Sequence, residues 1–212
     1  MTDAYQKFFS HFKISDQDLI QWGIQEAIFP NMEDVILEWE RLKEKVLNNK
    51  RVYIRGYGRN AHGTHLYQEL YAEILENYHV ERDPTNNSIP QRIIKKLTGL
   101  QRNRDIYNYQ VSHIFGKTKN PFLFQAPWNI CYLPKIMDPF TGHESKGNLS
   151  KQFQKAFKEY VFYQYKPLIE DYNQLMLDLN LSEKAKRYLN KEEGQQFLKD
   201  VMIELSPIIL DI

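Results

Sequence analysis

A histidine, an asparagine and a second histidine are the side chains in this sequence whose types and order suit hydrolytic chemistry. They are His113, Asn129 and His143, spaced by 16 and then 14 positions. Histidine titrates near neutral pH, so a neutral imidazole can take a proton from water. A neutral imidazole and a side-chain amide oxygen can also bind a divalent cation, which in turn can hold a phosphate group. The three residue types are therefore suited to hydrolysis of a phosphodiester.

Two short strands are predicted to position these residues. The chain from 106 to 140 is rich in Tyr, Phe and Pro, and its β-branched and aromatic runs predict strands at 107–114 and 129–133. If the strands are antiparallel, His113 at the end of the first lies close to Asn129 at the start of the second. Cys131 lies within the second run, where its apolar neighbours predict a buried position.

Residues 109–147 resemble the HNH family of endonucleases, whose shared element is the ββα-metal finger. In that family a first strand ends in a tripeptide such as Asp-His-Ile, and the corresponding residues here are Ser112, His113 and Ile114. An Asn-leucine-like pair opens the second strand, here Asn129 with Ile130, and a final His is often followed three residues later by Lys. The runs APWN, LPK and DPFTGHE are similar to a restriction-type subset of the family.

This resemblance implies a role for each residue. His113 would be the general base and His143 a ligand of the metal. Asn129 would be either a second metal ligand or the residue that holds the loop so that His113 faces the attacking water, and the family uses both arrangements. The resemblance implies Mg²⁺ as the working metal, with Mn²⁺ as a substitute. A structural zinc site is not expected, because Cys131 is the only cysteine.

The sequence departs from the family pattern at Ser112, where many members have a metal-binding Asp. Asn129 could take that role, another acid could replace it, or the metal site could be weak. The candidate acids are Asp105, Asp138 and Glu144. The CxxC pairs that brace some members are also absent, so packing must support the finger. The aromatic residues expected to provide it are Phe122, Phe124, Trp128 and Tyr132.

Positive charge is concentrated in two stretches, although the whole chain carries a net charge of only +1. Residues 51–67 carry three arginines and no acid, and residues 91–120 carry seven basic residues and one acid. This division is expected of a protein that holds a polyanion on one side. Two solvated basic faces are the alternative. The predicted DNA-contacting residues are Arg55, Arg59, Arg92, Lys95, Lys96, Arg102, Arg104, Lys117, Lys119 and Lys146.

The remaining chain is predicted to be mainly helical. Apolar spacing and capping residues predict the helices, and RVYIRGY predicts a strand at 51–57. The predicted fold class is α+β, mainly helical, with the embedded ββα-metal finger that the resemblance implies. We expect a helical part with a DNA-contacting loop at 1–100, the finger at 101–150, and a helical part at 151–212, joined in one compact domain. The helices are expected near 16–29, 32–48, 66–78, 90–98, 148–166, 168–179, 183–190 and 192–204.

The resemblance to HNH endonucleases, together with the two basic stretches, implies a metal-dependent endodeoxyribonuclease acting on double-stranded DNA, and specifically a type II restriction enzyme. A homodimer is expected because a palindromic DNA site is matched by a protein with two-fold symmetry. A cognate DNA methyltransferase is a further expected partner. The alternatives are a nonspecific, homing or toxin-type nuclease, or a DNA-binding protein whose finger has lost catalysis. With no apolar leader or membrane span in the sequence, a cytoplasmic location is expected. A dinucleotide-binding turn at residues 56–61 is disfavoured because no further βαβ unit is visible.

Overall fold

A computed structural model describes residues 3–142, 145–189 and 195–210. The chain is mainly helical, with two separate two-stranded sheets. The strands are β1 (Val52–Ile54), β2 (Val80–Arg82), β3 (Tyr109–His113) and β4 (Ile130–Pro134). The helices are α1 (Ala4–His11), α2 (Asp16–Gln25), α3 (Met32–Leu47), α4 (Thr64–Leu75), α5 (Ser88–Thr98), α6 (Pro121–Phe124), α7 (Asn148–Gln164), α8 (Lys166–Asp178), α9 (Leu181–Tyr188) and α10 (Gln195–Leu205).

Local capping explains where several helices begin and end. The Ser15 hydroxyl accepts the backbone N–H of Asp18 at 3.1 Å at the start of α2, and the Asn31 side chain caps α3 in the same way. Helix α5 ends at Gly99, whose φ of 71° is a left-handed conformation that glycine adopts without strain. Pro167 lies in the first turn of α8, where proline has no helical hydrogen bond to lose. The predicted helices in these regions are confirmed.

The two sheets differ in their pairing. Strands β3 and β4 are antiparallel, and the pair His113–Ile130 closes their register at the end nearest the connecting loop. Strands β1 and β2 are parallel, and α4 crosses between them. Strand β2 was not predicted from the sequence. Within the described residues this single βαβ unit is not extended by further parallel strands, so it does not build a dinucleotide-binding sheet.

One hydrophobic core draws on all three predicted parts of the chain, from Phe9 to Ile208. At its centre the ring centroids of Trp39 and Trp128 lie 5.5 Å apart in an edge-to-face arrangement. Cys131 and the four aromatic residues expected to support the finger are buried, as predicted. Among the helices in the described ranges, none has the length and apolarity to cross a membrane.

Candidate active site

The end of β3 opens into a cleft of about 770 Å³. Its lining residues come from β3 and the loop that follows it, from the segment after β4, from α5 and the segments on either side of it, and from the end of β1. They include His113 and Ser112 together with Asp138, and the basic residues Arg55, Arg102, Lys117 and Lys119. The structure thus brings the predicted general base and four of the predicted DNA-contacting residues to one surface. Four basic side chains against one carboxylate favour an anionic ligand.

The imidazole of His113 is fixed from one side. Its Nε2 lies 3.0 Å from the carbonyl oxygen of Phe124. Because a carbonyl only accepts, Nε2 must carry the proton, and Nδ1 is left with the lone pair that a base needs. The ring also stacks on the Phe124 ring, with centroids 5.3 Å apart and planes 15° apart.

His113 is half-buried, and the loss of solvent around its imidazole lowers the pKa to about 4. The hydrogen bond to the Phe124 carbonyl acts in the opposite direction, and the nearby Arg55 charge lowers the pKa further. The imidazole is therefore neutral at physiological pH. A neutral imidazole with a free Nδ1 can accept a proton from water without first losing one.

Asn129 is completely buried and bonds to the loop that connects β3 to β4. Its Oδ1 accepts the Phe115 N–H at 2.8 Å, and its Nδ2 donates to the carbonyls of Leu123 at 2.9 Å and Gly116 at 3.3 Å. These are the contacts of a residue that orients the loop, which is one of the two predicted roles. No contact of this side chain supports the other role, in which it binds metal, and that role stays a prediction.

The same loop is attached to the end of α10. Lys117 donates its Nζ to the carbonyls of Ile203 at 2.6 Å and Ser206 at 2.8 Å, and also to the Ser206 hydroxyl. Lys119 approaches the Glu204 carboxylate at 3.3 Å and gives that carboxylate its backbone N–H. Both lysines line the cleft, but their ammonium groups are engaged within the protein. Their predicted contact with phosphates stays untested.

The buried carboxylate of Glu204 was missed from the sequence. Burial raises its pKa, and the charge and hydrogen bonds of Lys119 partly offset that rise. A single Glu near the end of a predicted helix is normally expected at the surface. The partner of Glu204 lies about 85 residues earlier in the chain. No local signal in the sequence could have identified it.

Asp138 is the cleft carboxylate best placed to replace the missing Asp at Ser112. It lies in the segment after β4 and accepts a hydrogen bond from the Gln110 side chain. Asp105 instead bonds to Arg104 at 2.9 Å and to the Gln101 N–H. His143 and Glu144 lie outside the described residues. In the described ranges no cluster of three or more His, Cys, Asp or Glu side chains is present.

To Mg²⁺, the metal expected from the sequence, the described cleft wall offers one carboxylate and one amide. This cation keeps several waters and is commonly held by one or two carboxylates together with substrate phosphates. Asp138 supplies one such carboxylate, and the neighbouring Gln110 supplies an amide. The sequence places the predicted ligand His143 five residues after Asp138.

The other predicted DNA-contacting residues are spread around the cleft. Lys95 and Arg92 share a neighbouring depression with Arg102, whereas Lys96 is paired with Glu38 at 2.7 Å. Arg104 is paired with Asp105, and Arg59 and Lys146 are exposed outside the cleft. The structure therefore gives these residues unequal access to a ligand in the cleft.

The part of the chain that lines the cleft matches a known protein family. A family model described as "Uncharacterised protein PM1201" matches residues 30–210. The chain is 43% identical over 215 residues to "Uncharacterized protein PM1201" of Pasteurella multocida (strain Pm70), and the match covers 97% of each chain. No solved structure matches the chain. The matched range includes every residue that lines the cleft, from Arg55 to Thr141.

Proposed function

We propose that this chain, which belongs to the family described as uncharacterised protein PM1201, is a metal-dependent DNA endonuclease of HNH type. In this proposal β3, β4 and α7 form the ββα finger, and the finer function is that of a type II restriction enzyme. The observation that carries the proposal is the position of His113. Its Nε2 lies within hydrogen-bond distance of the Phe124 carbonyl oxygen, and it lines a cleft with four basic side chains and one carboxylate.

The chain's own residues divide the chemistry among them. Arg55 and Arg102 bind the phosphate, because a guanidinium offers paired donors to phosphate oxygens. His113 takes the proton of the attacking water on Nδ1, and Asn129 keeps the loop in the position that orients this base. Bound Mg²⁺ would stabilise charge on the phosphate and on the leaving oxygen, and Asp138 and His143 are the residues that would hold it.

Plasmid cleavage tests the proposal directly. Purified wild-type protein is incubated with supercoiled plasmid in Mg²⁺, in Mn²⁺ and in EDTA, beside the variants His113→Ala and His11→Ala. His11 is exposed on α1, away from the cleft, so its variant controls for loss of a histidine. We expect discrete fragments with wild type and His11→Ala in Mg²⁺, and intact plasmid with His113→Ala or in EDTA. Wild-type cleavage that persists in EDTA would contradict a metal-dependent mechanism.

A second candidate function is a DNA-binding protein without catalysis. It is favoured by Ser112, which stands at the usual position of a metal-binding Asp. The same experiment separates the two candidates. Intact plasmid in every metal, combined with a salt-sensitive gel shift, favours the binding protein. A smear of products in Mg²⁺ favours a nonspecific nuclease.

A further inference from the structure

A second cavity, of about 320 Å³, shares the lining residue Lys117 with the cleft. One wall is formed by α7 and the other by residues 207–210, which follow α10. The contacts of Lys117 with Ile203 and Ser206 hold the second wall in place. We call this cavity the lysine pocket, because it contains Lys117, Lys151, Lys155 and Lys158, with Glu159 as its only acid among the lining residues that the structure describes.

Three of the lysines form a row on α7. Lys151, Lys155 and Lys158 follow the i, i+4, i+7 spacing that places side chains on one helix face. The row spans about 10 Å at 1.5 Å per residue, which is the axial length of about three nucleotides of one DNA strand. The opposite face of α7 buries Phe153, Phe157 and Val161 in the core, so the row is carried on a fixed helix.

The charges of this row are only partly neutralised within the protein. Lys155 lies 3.8 Å from Glu159, a long and exposed contact. Among the described residues, Lys151 and Lys158 have no ion-pair partner. Burial lowers the pKa of Lys117 to about 8, and the charge of Lys158 contributes to that shift while Glu204 opposes it. Placing several cations around one cavity is unfavourable unless an anion joins them.

We infer that the lysine pocket is a second phosphate-binding surface, which holds the DNA backbone that continues from the cleft past Lys117. The inference rests on the proposed function, because it takes DNA as the ligand of the cleft. Lys151, Lys155 and Lys158 are not among the DNA-contacting residues predicted from the sequence. Since these lysines contact phosphates, they add affinity without reading sequence.

Salt-dependent binding of the full chain tests the inference. A labelled duplex of about three helical turns is titrated by fluorescence anisotropy in EDTA, so that no cutting occurs, at several salt concentrations between about 50 and 200 mM. The proteins are wild type, the double variant Lys151→Ala/Lys158→Ala, and Lys186→Ala. Lys186 is an exposed lysine on α9, paired with Glu183 at 2.7 Å, and serves as the matched control. Circular dichroism spectra verify that each variant is folded.

We expect one binding transition in wild type and a slope of log K against log salt that is shallower by about two units in the double variant. The control should keep the wild-type slope. A slope in the double variant equal to that of the control overturns the inference. So do two separable binding transitions in wild type, because the lysine pocket would then not continue the cleft.

This outcome is independent of catalysis. If wild type binds DNA but never cuts it, the nuclease proposal fails while the slope still decides the role of the lysine pocket. If wild type cuts DNA and the slopes are equal, only the lysine pocket is excluded from the DNA path.

Discussion

His113 donates its Nε2–H to the carbonyl oxygen of Phe124 at 3.0 Å, and the two side-chain rings stack. Phe124 is itself fixed, because it ends the buried helix α6. Asn120 caps that helix and also donates to the Glu204 carbonyl at 3.0 Å. The orientation of the candidate base therefore depends on a chain of contacts that reaches α10.

Removing the imidazole should affect the chemical step more than binding. We expect His113→Ala to lower the cleavage rate by a factor of about 10²–10⁴, because only the proton acceptor is lost. The measurement is single-turnover cleavage together with the dissociation constant for the same DNA. A rate within about threefold of wild type would be too small a loss for a general base and would remove His113 from that role.

The lowered pKa of His113 predicts a pH dependence of stability. In the unfolded chain the imidazole gains a proton as the pH falls through about 6.5, whereas in the folded protein it stays neutral until about pH 4. The free energy of unfolding should therefore decrease between these two values, by at most about 3 kcal/mol. Urea unfolding of wild type and His113→Ala at pH 7.5 and at pH 5 measures the effect. If both proteins lose the same free energy, the pKa of His113 is not lowered.

Asn129 offers a paired test of its two predicted roles. Asn129→Ala and Asn129→Asp both remove the Nδ2 donor from the carbonyls of Leu123 and Gly116. We expect each variant to lose folding stability, by about 1–3 kcal/mol for each buried group left without a partner. If Asn129 orients the loop, either substitution should lower the cleavage activity of the protein.

A metal ligand would behave differently at this position. A carboxylate binds Mg²⁺ at least as well as an amide oxygen, so Asn129→Asp would retain the Mg²⁺ dependence of cleavage while Asn129→Ala would lose it. Mg²⁺ titrations of both variants and of His143→Ala make the distinction. If neither Asn129→Ala nor His143→Ala changes the Mg²⁺ requirement, Asp138 becomes the main candidate ligand.

Much of the secondary structure was predictable because its causes are local. Helices α2, α3 and α5 follow from Ser15, from the apolar spacing of Val35 to Val46, and from Gly99. Helix α1 was not predicted: it is short, and it is held by the Asp3 cap and by an edge-to-face contact of Tyr5 with Phe140, which lies far along the chain. Strand β2 was also missed, since three residues carry little signal without their partner β1.

The residues that line the candidate site were easier to predict than their contacts. The order of His113 and Asn129 along two predicted strands was enough to place them near each other. The roles of Lys117 and Lys119 could not be read in the same way. Their partners Ile203, Glu204 and Ser206 are distant in sequence, so a basic loop predicted free cations where the fold uses the lysines to attach α10.

Lys95 and Lys96 should contribute unequally to DNA binding, although they are neighbours on α5. Lys96 is already paired with Glu38 at 2.7 Å, whereas Lys95 shares a depression with Arg92 and Arg102. We expect Lys95→Ala to reduce the salt slope by about one unit on any DNA sequence, and Lys96→Ala to reduce it by less. Anisotropy titrations at several salt concentrations measure both. Equal slopes for the two variants would show that the pair with Glu38 opens when DNA binds.

Arg55 and Arg59 lie in different positions, which suggests different contacts with DNA: phosphate binding for Arg55 and sequence recognition for Arg59. Both are among the predicted DNA-contacting residues, and arginine can bind guanine through two hydrogen bonds. Arg55 lines the cleft beside His113, and its backbone N–H is held by the Thr118 carbonyl at 2.8 Å. Arg59 instead lies on an exposed turn, just after Gly58 with a φ of 75°. A turn of this kind can approach a groove closely, since glycine leaves room for the backbone.

We therefore expect Arg59→Ala to weaken binding to cognate DNA selectively, by about 1–3 kcal/mol for one lost pair of base contacts. Arg55→Ala should weaken binding to cognate and noncognate DNA about equally, since it removes a phosphate contact. Dissociation constants for both DNAs, measured in EDTA at several salt concentrations, distinguish the two effects. The cognate sequence is first obtained from the fragments that wild type produces. If Arg59→Ala loses affinity equally for both DNAs, the turn contacts only the backbone and another segment must recognise the sequence.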